Sequence, residues 1–268
     1  MNAPSFDPQL CTVSISNSVG TIHIQRPEKK NALTKELCLS LAEQFRRLDR
    51  LPEVKVIALR GSGPDFCAGA DIHEVETVLD DQATGSHRTD HLSLLDSVIG
   101  QVSKPTVALV QGVCMGGGWQ LASSCDLVIC SEDAHLALTP SKLGLLYPQR
   151  GLERLVEQVG AHRAKYLLFS SDRIAPWDAE RWGLVTTVIP ASDFEAWTTS
   201  FLERIAQRSQ YTVHHSKRLI DAGAEQTDAH RRDWEETWAG MLENPDLVAG
   251  RAAFFAGEQP VFTWGPKL

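Results

Sequence analysis

The chain has 268 residues, 43% of them apolar and 22% charged, with a net charge of −8. That is enough to bury a substantial core, as one large domain or two small ones, and the composition is ordinary for a globular enzyme. The negative balance argues against nucleic acid or an anionic membrane surface as partner, and no apolar run approaches the length of a membrane span.

Residues 1–10 lack the basic and apolar segments of a signal peptide. Cys11, Cys38, Cys67, Cys114, Cys125 and Cys130 form no Cys-x-x-Cys pair. They read as reduced core residues of a cytoplasmic protein.

In chain order, residues 11–15 and 21–25 read as two strands around a turn. Thr34 caps a helix with Leu37, Leu41, Phe45 and Leu48 on one face. A short buried strand is predicted over 54–59, and the polar stretch 80–93 reads as a flexible lid. Leu92, Leu95, Val98, Ile99 and Val102 give the next helix, and residues 106–110 and 127–130 two more buried strands. Repeated strand–helix units imply parallel strands with helices outside, an α/β fold. After Gly151 the spacing turns helical over 152–159, 162–170, 177–182 and 192–255, with one last strand at 185–189. Residues 1–195 are thus expected to form the core, and 196–268 a helical region that covers it or packs on a neighbouring subunit. Trp177, Trp182, Trp197, Trp234 and Trp238 read as packing anchors.

The most telling stretch is Gln111-Gly112-Val113-Cys114-Met115-Gly116-Gly117-Gly118-Trp119-Gln120, which follows an apolar strand and opens a helix. Glycines let the backbone turn sharply and approach a ligand, and a helix start offers free N–H groups. Such a corner suits a carbonyl oxygen that must become an enolate. A second small-residue turn, Ala68-Gly69-Ala70, also follows a predicted strand.

Arg26-Pro27-Glu28-Lys29-Lys30-Asn31-Ala32-Leu33, Phe66-Cys67-Ala68-Gly69-Ala70-Asp71-Ile72, Gly112-x4-Gly117-Gly118, Cys125-Asp126-Leu127 and Trp182-Gly183-Leu184-Val185 occur together in this order. On these motifs the chain resembles the crotonase (enoyl-CoA hydratase/isomerase) superfamily over nearly its whole length. The resemblance implies a spiral of ββα turns, a homotrimer or dimer of trimers, and an acyl-CoA or acyl-carrier thioester as substrate. Coenzyme A is then part of the substrate, with no separate cofactor and no metal. The resemblance also implies an oxyanion hole from the N–H groups of Ala70 and Gly117. The backbone of Ala68, Gly69, Ala70, Asp71 and Ile72 would hold the adenine, and Lys29 or Lys30, with Lys267, would meet the phosphates.

Hydratases of this superfamily hold and activate water with two glutamates, one serving as base and one as acid. The residues at the matching positions here are Gln120 and, on the alignment of Lys142-Leu143-Gly144, Pro140. Neither exchanges a proton near neutral pH, so ordinary hydration is disfavoured. Thr139-Pro140-Ser141-Lys142-Leu143-Gly144-Leu145-Leu146-Tyr147 looks like the methylmalonyl-CoA decarboxylase branch, although that branch keeps an acid where Gln120 stands.

Loss of CO2 from a malonyl-type thioester needs no base, because the leaving carboxylate supplies the electron pair. Tyr147, with an unperturbed pKa of about 10, would donate one hydrogen bond to that carboxylate. Gln120 and Thr139 would add neutral polar contacts. Tyr147 reads equally as a core tyrosine with a satisfied hydroxyl. His73 and Glu74 read as a solvated helix start, Arg150 as a partner in a structural salt bridge, and Cys67 and Cys114 as inert thiols. Three functions stay open: a decarboxylating lyase, a hydratase or isomerase with acid–base groups from elsewhere, and a non-catalytic acyl-CoA-binding protein.

Overall fold

A computed structural model describes residues 9–81, 90–223 and 227–265. The chain opens with a hairpin, β1 (Cys11–Ser16) and β2 (Val19–Ile24). Asn17 and Ser18 turn it with φ of 49° and 62°. Two left-handed residues twist a tight turn in the sense that strands follow, so the loop is two residues long. Thr34 then accepts a hydrogen bond from Leu37 N and starts α1 (Lys35–Arg50), which buries Leu37, Leu41, Phe45 and Leu48 as the spacing predicts. β3 (Val56–Gly61) follows, then the short α2 (Val75–Leu79) and α3 (His91–Gln101).

Of the lid expected over 80–93, residues 82–89 lie outside the described residues. At its far end the expectation fails: Asp90 accepts from the N–H groups of Leu92 and Ser93 and caps α3, so 91–93 are helical. A capping aspartate reads as loop polarity in a sequence window but closes a helix end.

β4 (Thr106–Val110) and β5 (Val113–Met115) flank the turn at Gly112, and α4 (Gly117–Ser123) opens directly after. β6 (Leu127–Ser131) and β7 (His135–Ala137) precede α5 (Gln149–Ser170), which breaks at Gly160 (φ 75°) where two helices were predicted. α6 (Pro176–Trp182), β8 (Thr187–Ile189), α7 (Phe194–Ala206), α8 (Gln210–Asp221), α9 (Asp228–Gly240) and α10 (Pro245–Ala256) complete the described chain. The helical stretch predicted over 192–255 is therefore interrupted. Ser209, Thr227 and Asn244 each cap a new helix with a side-chain oxygen.

Among the described residues, one sheet has the order β1-β2-β3-β4-β6-β8, with β1–β2 antiparallel and the other pairs parallel. A second layer pairs β5 with β7, extended by bridges between Cys67 and Cys114 and between Leu33 and Ala70. This is the α/β spiral that the motifs imply: β4–β5 and β6–β7 each contribute a strand to both layers, and the earlier turns reach the second layer through the single bridges at Leu33–Ala70 and Cys67–Cys114. The main core, with Phe45, Phe66, Leu59 and Leu95, lies between sheet and helices, while α7 covers the other sheet face with Phe194, Leu202 and Ala206.

All six cysteines are buried and none forms a disulfide, and burial pushes the thiols of Cys67, Cys125 and Cys130 up to about 12. The tryptophans divide. Trp182 packs on the core, Trp197 stacks on Phe201 with centroids 4.9 Å apart, and Trp177, Trp234 and Trp238 stay about half exposed. The last two stack on each other at 5.8 Å and line an apolar groove between α8 and α9. The expectation of packing anchors thus holds for Trp182 and Trp197, whereas Trp177, Trp234 and Trp238 keep about half their surface open, because aromatic residues at helical spacing mark an apolar face without saying what covers it.

Candidate active site

Three of the sequence motifs are structural at close range. Asn31, fully buried, donates to the carbonyls of Ser62 and Asp65 and accepts from Arg26 N. Arg26 bridges to Asp71 at 3.2 Å. Asp126 accepts from Thr106 N at 2.7 Å and is paired with Lys217. Together they hold the ends of the second layer against the sheet.

That layer carries the Ala68-Gly69-Ala70 turn. Leu33 N donates to Gly69 O at 2.7 Å and Asp71 N donates to Leu33 O at 2.8 Å. Backbone groups alternate sides along an extended strand, so the Ala70 N–H faces away from Leu33. Gly69 has φ of +103°, and a Cβ there would stand 2.8 Å from Met115 O and 3.2 Å from Gly117 N. Only glycine lets the two turns approach this closely. Gly117 begins α4, where an N–H has no partner within the helix. A Cβ on Gly117 would lie 3.2 Å from Ala70 N, so the two amides are neighbours. Neither donates to an acceptor among the described residues. Such a pair can hold one carbonyl oxygen.

Both residues line a cavity of about 500 Å³. Ala68, Gly69, Asp71, Ile72, Lys29 and His73 line it too, with Lys29, Ile72 and His73 exposed at the rim. At Asp71, burial opposes ionisation, but the His73 N–H and Arg26 outweigh it and hold the carboxyl below the usual carboxylate range. Leu79, Leu92, Met115, Leu143, Leu145 and Leu146 supply apolar walls, Leu146 with 93% of its surface exposed. Thr139, Pro140 and Tyr147 line the opposite side. Tyr147 is 9% exposed, its hydroxyl has no hydrogen-bond partner among the described residues, and burial raises its pKa far above the ordinary value despite the nearby Arg154. The reading of Tyr147 as a core tyrosine with a satisfied hydroxyl therefore fails.

Other residues singled out in the sequence sit elsewhere. Gln120, fully buried, does not line the cavity. Its Nε2 donates to Asp96 Oδ2, while its Oε1 has no partner among the described residues. Lys30 and Glu74 lie outside the lining, and Lys267 lies outside the described residues. Arg150 is exposed and makes no salt bridge among the described residues.

The sequence reading missed Asp96 and Arg154. Asp96, with 2% of its side chain exposed, accepts two hydrogen bonds from Arg154 Nη2, at 2.7 and 2.8 Å, and Arg154 Nη1 donates to Ser123 Oγ at 3.0 Å. The available signal was an aspartate set directly beside the apolar stripe of α3.

The sequence profile of the family described as enoyl-CoA hydratase/isomerase matches residues 14–264. The chain belongs to that family. It is 30% identical over 244 residues to a probable mitochondrial enoyl-CoA hydratase 2 of Arabidopsis thaliana, covering 90% of this chain and 80% of that one. A peroxisomal Delta(3,5)-Delta(2,4)-dienoyl-CoA isomerase of the same organism is 28% identical, covering 92% and 93%. Among solved structures, an enoyl-CoA hydratase/isomerase family member is 42% identical with a TM-score of 0.92, covering 96% of this chain and 99% of that one. An enoyl-CoA hydratase from Bacillus anthracis is 27% identical with a TM-score of 0.85, covering 95% and 99%. The protein is thus a crotonase-family enzyme that processes acyl-CoA. Among the described residues no helix is long and apolar enough to cross a membrane.

Proposed function

We propose that this family member is a carbon–carbon lyase that decarboxylates a malonyl- or methylmalonyl-type thioester, in the manner of the methylmalonyl-CoA decarboxylase branch. The observation that carries the reading is the acyl end of the cavity. Its polar side chains are Thr139 and Tyr147, and the one carboxylate on the lining among the described residues, Asp71, is engaged by Arg26. A hydratase needs a free carboxylate there to activate water.

In the proposed reaction the thioester oxygen accepts hydrogen bonds from Ala70 and Gly117 N–H. Tyr147 donates to the substrate carboxylate and holds it out of the thioester plane, among apolar walls that favour its loss. The bond from Cα to the carboxylate breaks and CO2 leaves. The electron pair stays on Cα as an enolate, and water protonates Cα to give the shortened thioester. Ala68, Gly69, Asp71 and Ile72 would bind the adenine end, and Lys29 and Lys267 its phosphates. Thr139 adds a neutral contact. Residues 196–268 would build a homotrimer or dimer of trimers, and the cytoplasm is the proposed location.

The second reading, a hydratase or isomerase, is favoured by the names of the relatives and needs acid–base groups from outside the matched motif positions, such as Glu74 or a residue of the 80–93 stretch. Incubation with methylmalonyl-CoA, malonyl-CoA and crotonyl-CoA, products followed by mass, separates the two. Loss of CO2 with crotonyl-CoA untouched supports the lyase, and hydration of crotonyl-CoA overturns it. Binding of all three without turnover points to a non-catalytic acyl-CoA-binding protein.

A further inference from the structure

Three helices end at the cavity, and each carries a second polar or small residue about one turn further on. α3 brings Leu92 to the lining and Asp96 behind it; α4 brings Gly117 to the lining and Gln120 behind it. Tyr147 stands just before α5, whose first turns carry Gly151 and Arg154. Residues three or four apart share a helix face, so the second layer lies directly under the first.

Asp96 is its hub. Its carboxylate takes both hydrogen bonds from Arg154 Nη2 on α5 and one from Gln120 Nε2 on α4. Gln120 in turn fills the space above Gly151, where a Cβ would collide with Gln120 Oε1 and stand 2.6 Å from the Tyr147 ring at Cε1. The amide therefore sits against the Tyr147 ring, and Gly151 is glycine because nothing larger fits. One buried carboxylate thus links three helices through charge-assisted hydrogen bonds.

We propose that Asp96 is a positioning residue: through Gln120 and Arg154 it sets where the Tyr147 hydroxyl points relative to Gly117 N–H. The kinetic half of this inference rests on the decarboxylase reading; the structural half does not.

The chain has three tyrosines, so protein labelled with 3-fluorotyrosine gives three fluorine resonances, and Tyr147→Phe assigns the one in question. In Asp96→Asn the Tyr147 resonance should shift or broaden, with those of Tyr166 and Tyr211 unmoved. Turnover should fall roughly tenfold or more with KM within about twofold, because the lost hydrogen bonds are to a charged group. In a Tyr147→Phe background the same substitution should cost no further turnover.

An unmoved Tyr147 resonance, or losses that multiply in the double variant, overturns the proposal. If Asp96→Asn does not fold, Arg154→Lys keeps a cation on Asp96 and must move the same resonance. If wild-type protein decarboxylates nothing, the functional reading fails alone. Acetyl-CoA then serves as the probe: it should displace the Tyr147 resonance in wild type and by a different amount in the Asp96 variant, and equal displacement sinks the positioning role.

Discussion

The rim of the cavity and its buried end are built from opposite chemistry. At the rim Lys29, Asp71 and His73 offer charge and titratable groups beside exposed Ile72 and Leu146. At the buried end the lining is leucine, methionine, proline and backbone, with the hydroxyls of Thr139 and Tyr147, the latter unpartnered among the described residues, and the charges of Asp96 and Arg154 stand behind it, neutralising each other. A site so divided can grip an anionic handle at one end while the other stays free of proton donors that exchange near pH 7. Charge is present at both ends, but only at the rim is it open to a ligand.

The sharpest way to break this comparison is to remove a donor from the buried end. Gly117→Pro deletes one N–H at the first position of a helix, where proline is tolerated. Turnover should drop about 10²–10³-fold or more, because the proline ring also crowds Ala70 N, which a Cβ at this position would meet at 3.2 Å; an unaffected rate would take Gly117 out of the chemistry. Tyr147→Phe comes next, with an expected loss of roughly 10- to 100-fold, the worth of a hydrogen bond to a charged group. Equal turnover in the two proteins would leave that hydroxyl without a role.

Gln120→Glu tests whether the family's missing acid can be restored by one substitution. The new carboxyl would face Asp96, and two carboxylates in contact cannot both ionise. We expect no hydration of crotonyl-CoA and a stability loss of about 1–3 kcal/mol in denaturant titration. Gain of hydratase activity would mean that position 120 can reach the cavity.

The smallest effect belongs to the rim. The folded state holds the Asp71 carboxyl below its unfolded pKa, so its contribution is present above the unfolded value and fades as pH falls through the folded one. Asp71→Asn should therefore lower stability slightly at pH 7 and flatten the acid limb of the melting curve. A variant whose melting curve has the same acid limb as wild type would contradict this.

Much of this division was legible in the sequence, because it rests on local patterns. The α1 face, the β4 run, the glycine corner and the motif order all reflect periodicity or backbone demands within a few residues. Pro140 stands out because it replaces a residue that the motif expects, and Tyr147 because it closes the pattern that looks like the decarboxylase branch. Gln120 was found in the same way as Pro140, but its direction was not readable: a helix start shows which residue comes fourth, not which neighbour it meets. Asp96 and Arg154 lie 58 residues apart and meet only once α3 and α5 pack. Short β5 and β7, three residues each, carry no period long enough to notice.

The six buried thiols turn the protein into its own clock for opening. With the pKa values of Cys38, Cys67, Cys114, Cys125 and Cys130 raised by burial and all six sulfurs enclosed, they react with a water-borne disulfide reagent only when a segment comes apart. Cys38 on α1, Cys114 on β5 and Cys130 on β6 sit in different layers, so their separate labelling rates would time how each part of the spiral lets go.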